Sequence, residues 1–180
     1  HAEAPTKEFV KKGGTLEGIQ LWLNLPAKDK LMPPNYQHLE AAQIPKIFSE
    51  DQKVQLNVIA GNQKNQTGLI KTQTVVNVFT AVAEENGMLE IEIPQNHQSL
   101  IYVLDGTVLV NDAEVLQKGE NQMIVFNQDG NSIQFEAKKA STILILSGEP
   151  IHEKVAQYGP YVMNTQTEIL EAMRDYQQGK

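Results

Sequence analysis

The chain has 180 residues, 41% of them hydrophobic, with a formal net charge of -7; that is enough for one domain with a sizeable core, or one domain plus part of another, and too little for two complete barrels. Its acidity opposes contact with a phosphate backbone, because the only small basic groups are Lys11-Lys12 and Lys138-Lys139, and no apolar run approaches the ~20 residues of a membrane helix. Cysteine is absent, which excludes a disulfide framework and thiolate chemistry and suits a reducing cytoplasm.

The chain opens on His1-Ala2-Glu3 with no initiating methionine. Such a start fits a secreted protein cut to a functional N-terminal histidine, a residue left by a purification tag, or a chain whose front part is missing. Further on, Ile19, Leu21, Leu23 and Leu25 alternate with Gln20, Trp22 and Asn24, and that period of two predicts a strand. The stretch "PAKDKLMPPNYQHLEAAQIPK" follows, proline-rich and polar like a connection between domains. A lone strand has no ladder partner, and Trp22 has no cover. Residues 1–37 are therefore expected to be the remnant of a further domain, and 38–50 a linker.

From Gln52 onward the period is again two, in short runs bounded by Gly, Asn, Asp or Pro. Strands are predicted over 53–60, 73–83, 88–93, 99–105, 107–110, 113–116, 122–127, 132–136 and 142–147. The turn signals "GNQKNQTG", "ENG", Gly106, "VNDAE", "KGEN" and "QDGN" lie in the gaps. This is an all-β sandwich or small barrel, placed at 51–164. In "TQTEILEAMRDYQQGK" the period changes to that of a helix over 165–178. Thr165 and Glu168 have the spacing of a capping box, and Ile169, Leu170, Met173 and Tyr176 form one apolar face.

Two stretches are specific. "GGTLEGIQLWLNLPAKDKLMPPNYQ" (13–37) resembles the middle of pirins, and "GEPIHEKVAQYGPYVMNTQTEI" (148–169) resembles their C-terminal signature. The resemblance implies a cupin fold, a double-stranded β-helix or jelly-roll barrel. In this chain it would carry a C-terminal α-helix and be preceded by the final strand of a second, mostly missing cupin barrel. Pirins are bicupins with one non-haem iron in the N-terminal barrel, held by a His-x-His pair and a later His-x-Glu pair. His1-Ala2-Glu3 stands where the later pair belongs. The resemblance thus implies that His1 and Glu3 are metal ligands, with Glu3 also a base for a substrate hydroxyl, and that Fe(II) is the cofactor of the intact protein.

Two ligands are too few for a mononuclear iron centre. The remaining histidines are His38, His97 and His152, and none lies two residues from another. His97, in "IPQNHQSLIYVLDG", falls where a cupin carries its first metal motif. It has Gln95 and Gln98 around it instead of a second histidine and a glutamate, and "QKGENQMIVFNQ" lacks the histidine of a second motif. His97 is accordingly expected to be an ordinary loop histidine in a metal-free barrel, and His38 and His152 to be solvated or hydrogen-bonded.

Three functions follow as expectations. The first is a dioxygenase like the quercetin 2,3-dioxygenases, acting on a flavonol or similar phenol in the intact protein, with this truncated chain inert. A second is a redox-sensing regulatory module that binds a protein partner, with no direct nucleic acid or membrane contact. The third is a copper monooxygenase with an N-terminal histidine, which the absence of disulfides disfavours. The uncovered strand and the helix face of Ile169, Leu170 and Met173 also predict self-association through an exposed edge.

Overall fold

The structure, a computed structural model, describes residues 4–179. A short helix the sequence reading does not foresee, α1 (Lys7–Lys12), opens it; the Thr6 hydroxyl accepts the Phe9 N–H at 3.2 Å and Gly13 closes the last turn at φ 68°. The strands, in chain order, begin with β1 (Lys46–Phe48), β2 (Val54–Ala60), β3 (Asn62–Gln63), β4 (Gln66–Thr67), β5 (Val76–Ala83), β6 (Met88–Glu92) and β7 (Gln98–Asp105). They continue with β8 (Thr107–Val110), β9 (Glu114–Gln117), β10 (Met123–Val125), β11 (Ser132–Ala137), β12 (Ser141–Gly148), β13 (Ala156–Tyr158) and β14 (Tyr161–Met163), before helix α2 (Gln166–Gln177).

Two antiparallel sheets carry the fold. A six-stranded sheet runs β1-β2-β5-β12-β7-β10 and a four-stranded sheet β6-β11-β8-β9. Their alternation places one set of side chains between the sheets. Val54, Leu56 and Val58 of β2, Phe79 and Ala81 of β5, Ile101 and Val103 of β7, and Ile143 and Ile145 of β12 meet Ile91, Val108, Val110, Ile133 and Phe135 from the opposite sheet. The chain passes between sheets at Gly106, with no residue between β7 and β8 except that glycine. Its φ is 87°, where a Cβ is strained, and such a Cβ would lie 2.2 Å from Ser141 Oγ. Ser141 Oγ in turn accepts the Thr107 N–H at 3.0 Å, tying the crossing to the start of β12.

The predicted strand at 19–25 does not form. No strand lies there among the described residues, and Trp22 is 59% exposed. Alternation supplies an amphipathic segment, but a strand exists only within a ladder, and no ladder includes this segment among the described residues. The segment is instead held at its far end. The Ala27 N–H donates to Glu153 Oε2 at 2.7 Å, and Lys30 Nζ donates to Asn24 Oδ1 at 2.6 Å and to the Val162 carbonyl at 3.3 Å. Lys46–Phe48, read from sequence as part of the connection, forms an edge strand on β2.

Helix α2 forms as its capping box predicts. Thr165 Oγ1 accepts the Glu168 N–H at 3.3 Å, and Glu168 Oε2 accepts the Thr165 N–H at 2.7 Å. Its apolar face is narrower than the periodicity indicates. Ile169 is buried, whereas Leu170 is exposed, and Tyr176 meets Tyr161 edge to face at 6.4 Å between ring centres. No helix among the described residues is long and apolar enough to cross a membrane.

Candidate functional site

Most of the space between the sheets is hydrocarbon, but one end is polar. Asn77, at the start of β5, and Ser147, near the end of β12, occupy inward positions that carry Phe79 and Ile145 two residues away, and Ser147 stands opposite Asn77 in the ladder. His97, in the loop before β7, reaches the same point after its N–H closes a turn onto the Pro94 carbonyl at 2.9 Å. Asn77, His97 and Ser147 are all more than nine-tenths buried.

Their hydrogen bonds form a chain with a fixed direction. The Asn62 N–H donates to Asn77 Oδ1 at 3.1 Å, which turns the amide so that Asn77 Nδ2 donates to Ser147 Oγ at 3.0 Å. Ser147 Oγ lies 3.0 Å from His97 Nδ1. With the ring neutral and its proton on Nε2, the serine hydroxyl donates to Nδ1 and completes the chain. Gly61, at φ 82°, allows this: a Cβ there would fall 2.0 Å from Asn77 Oδ1.

Burial pushes the His97 pKa below the ordinary imidazole value, against an opposing pull from the Glu149 carboxylate. The native ring thus resists the proton that the unfolded ring accepts. Above the ordinary value of about 6.5 both states are neutral and the contribution to stability is complete. As the pH falls below that value the unfolded chain protonates first, and stability is lost progressively until the native ring also titrates. Denaturant unfolding between pH 8 and pH 5 is expected to show this decline, and His97→Gln to flatten it; equal slopes for both proteins would contradict the assignment. Asp51, held low by the Ser49 hydroxyl, and Asp105, held low by Lys118, act in the lower, carboxylate range.

The second feature is an apolar cleft on the outer face of the six-stranded sheet. Leu144 and Leu146 of β12 point away from the core, and Val78, Leu100 and Leu146 line a cleft of about 240 Å³ whose other wall is Trp22 and Leu23. Val125, Val82 and Met123 on this sheet are each about half exposed. A sheet apolar on both faces is built to be covered on both.

The residues singled out from sequence fall in four places. His1 and Glu3 lie outside the described residues. His38 is exposed, with Nε2 2.8 Å from Glu40 Oε1, and His152 is exposed on a turn at φ 57°. His97 is a buried member of a polar network, more constrained than an ordinary loop histidine. No group of three or more His, Asp or Glu side chains among the described residues is arranged to hold a metal ion. His97 has its Nδ1 engaged by Ser147, and the Glu149 carboxylate that acts on it leaves the group short of the three ligands a site needs, so the described barrel does not fit a metal. Sequence reasoning missed Asn77 and Ser147. Their signal was a polar residue at an inward position of an otherwise apolar alternation, in "VVNVF" and "LILSG".

Two antiparallel sheets closed over an apolar core, with a polar network at one end, define a cupin barrel. Residues 78–180 match the Pirin C-terminal cupin domain, and the chain belongs to the pirin family. A Pseudomonas aeruginosa protein provisionally named quercetin 2,3-dioxygenase is 36% identical over the whole of this chain, which covers 62% of that relative. Human pirin is 32% identical, again over the whole chain and 60% of its own length. The crystal structure of quercetin 2,3-dioxygenase from Acinetobacter baumannii superposes with a TM-score of 0.83 at 34% identity, covering 88% of this chain and 54% of that one. The chain thus spans less than two thirds of the length of these relatives.

Proposed function

We propose that this chain is the C-terminal portion of a two-barrel dioxygenase of the quercetin 2,3-dioxygenase type, acting on a flavonol or a related phenol. In this reading residues 1–37 complete a first barrel, 38–50 connect the two, 51–164 form the second barrel and 165–178 its closing helix. His1 and Glu3 contribute to an Fe(II) centre finished by histidines outside this chain, and Glu3 takes the proton of the substrate hydroxyl. The second barrel supplies no ligand of its own and acts as scaffold. The observation that carries the reading is the 36% identity extending over the whole chain to a relative of which it covers only 62%. The apolar outer face at Val78, Leu100 and Leu146, half roofed by Trp22, supports it physically, since it is the surface a neighbouring barrel would bury.

The test is oxygen uptake and ring cleavage with quercetin and Fe(II), in a longer protein that includes a preceding barrel and in this chain alone. Turnover is expected only in the longer protein. There Glu3→Gln is expected to lower it by about 100-fold, the scale of a lost general base. A longer, iron-loaded protein without turnover would overturn the dioxygenase reading.

A further inference from the structure

Among the described residues β1 is one edge strand of the larger sheet and β6 one edge strand of the smaller, and these two edges border one groove of about 770 Å³. Which backbone groups face it follows from the ladders. β6 pairs with β11 in a register where Ile91 stands opposite Ile133. The flanking bonds Ala137 N–H to Gly87 O and Ile93 N–H to Asn131 O show that the odd-numbered residues of β6 bond inward. In an antiparallel ladder the alternate residues then point their N–H and C=O the other way. Met88, Glu90 and Glu92 therefore present theirs to the groove. On β1 the bonds of Ser49 to Val54 and of Val58 to Pro45 leave Lys46 and Phe48 facing outward in the same manner.

The groove has a definite character. Glu50, Asp51, Glu90 and Glu92 line it and are exposed, and Lys64 is the cation among its lining residues. Phe48 and Met88, 47% and 44% exposed, add apolar surface between the carboxylates.

We propose that this groove receives an extended, lysine- or arginine-bearing segment of a partner protein, added as a further strand along β6. Strand addition satisfies the outward N–H and C=O groups of Met88, Glu90 and Glu92, and alternate basic side chains of the added strand meet Glu90 and Glu92. The same charges select the occupant. A second copy of this chain pairing along β6 would set glutamates against glutamates across the strands, a repulsive arrangement, whereas a basic strand converts that repulsion into attraction.

The test measures binding of a short fluorescent peptide alternating lysine with threonine to the chain at low ionic strength, by anisotropy. Three comparisons accompany it: a glutamate-threonine peptide, the lysine peptide methylated on alternate backbone nitrogens, and the E90K/E92K protein. Binding is expected for the lysine peptide alone, with about a tenfold or larger loss for the methylated peptide and for the charge-reversed protein. Slowed amide exchange at Met88, Glu90 and Glu92 on binding should accompany it, and circular dichroism of E90K/E92K establishes that the variant is folded. Equal binding of the methylated peptide would reduce the effect to diffuse charge attraction and overturn the proposal. So would absence of binding, or a self-association of the chain that E90K/E92K removes.

Discussion

Replacing Ser147 by alanine is expected to lower the unfolding free energy by about 2–4 kcal/mol, a large share of the roughly 5–15 kcal/mol that holds a domain of this size. The hydroxyl is small, but it is the middle of a buried chain. It accepts from Asn77 Nδ2 and lies within bonding distance of His97 Nδ1, at 3.0 Å in each case. Its loss leaves an amide donor and a ring nitrogen without a partner among side chains more than nine-tenths buried, and each such group costs about 1–3 kcal/mol. His97→Leu is expected to be costly in the parent chain and much less so once Ser147 is alanine, because the interaction it removes is already gone. Urea unfolding of the two single variants and the double variant gives the coupling directly. A loss below about 1 kcal/mol for Ser147→Ala would mean that solvent repairs the network and that this end of the barrel is open.

The sequence shows the strands of the barrel well because each buries one face. In β2 and β5 the period of two is driven by a core that tolerates little else, and turn residues such as those at 85–87 mark the boundaries. Helix α2 was equally legible, since a capping box is a local interaction that needs no knowledge of the fold. Apart from helix α1, which is capped locally by Thr6, the failures share one cause: they depend on partners distant in the chain. The segment 19–25 has the alternation of a strand but joins no ladder among the described residues. Edge strand β1 is too short to show a period, and only its ladder with β2 defines it. Leu170 continues the helical pattern but is 67% exposed.

The candidate site divides in the same way. His97 was visible as the one histidine in a cupin hairpin, yet its environment was not, because Asn77 and Ser147 are 20 and 50 positions away and meet it only through the pairing of β5, β12 and β7. The arrangement gives a buried histidine at this position a part in the packing of the barrel end. A ring whose Nδ1 is claimed by a serine and whose burial favours neutrality serves as a hydrogen-bonding cap on the core. The proposal that His1 and Glu3 are ligands rests on resemblance alone, since a histidine and a carboxylate two residues apart carry no geometry by themselves.

The corner that joins the two sheets offers the sharpest separation of backbone from contact energies. Gly106 and Gly119 have nearly the same positive φ, 87° and 86°, so alanine at either pays a left-handed penalty of about 1–2 kcal/mol. Their surroundings differ completely. A Cβ at Gly119 meets nothing within 4 Å, whereas at Gly106 it would sit 2.2 Å from Ser141 Oγ and 2.3 Å from the Ala140 carbonyl oxygen. Backbone cannot yield there without moving β12, the strand that holds β5 and β7 on its two sides. Ser141 would also be pushed off the Thr107 N–H. Crowding of this kind adds about 1–3 kcal/mol. Gly106→Ala is therefore expected to lose about 2–5 kcal/mol, and Gly119→Ala only the roughly 1–2 kcal/mol of its backbone. Matched denaturant curves decide it: equal losses would show that the corner relaxes, and that the two sheets are joined more loosely than the contact between Gly106 and Ser141 implies.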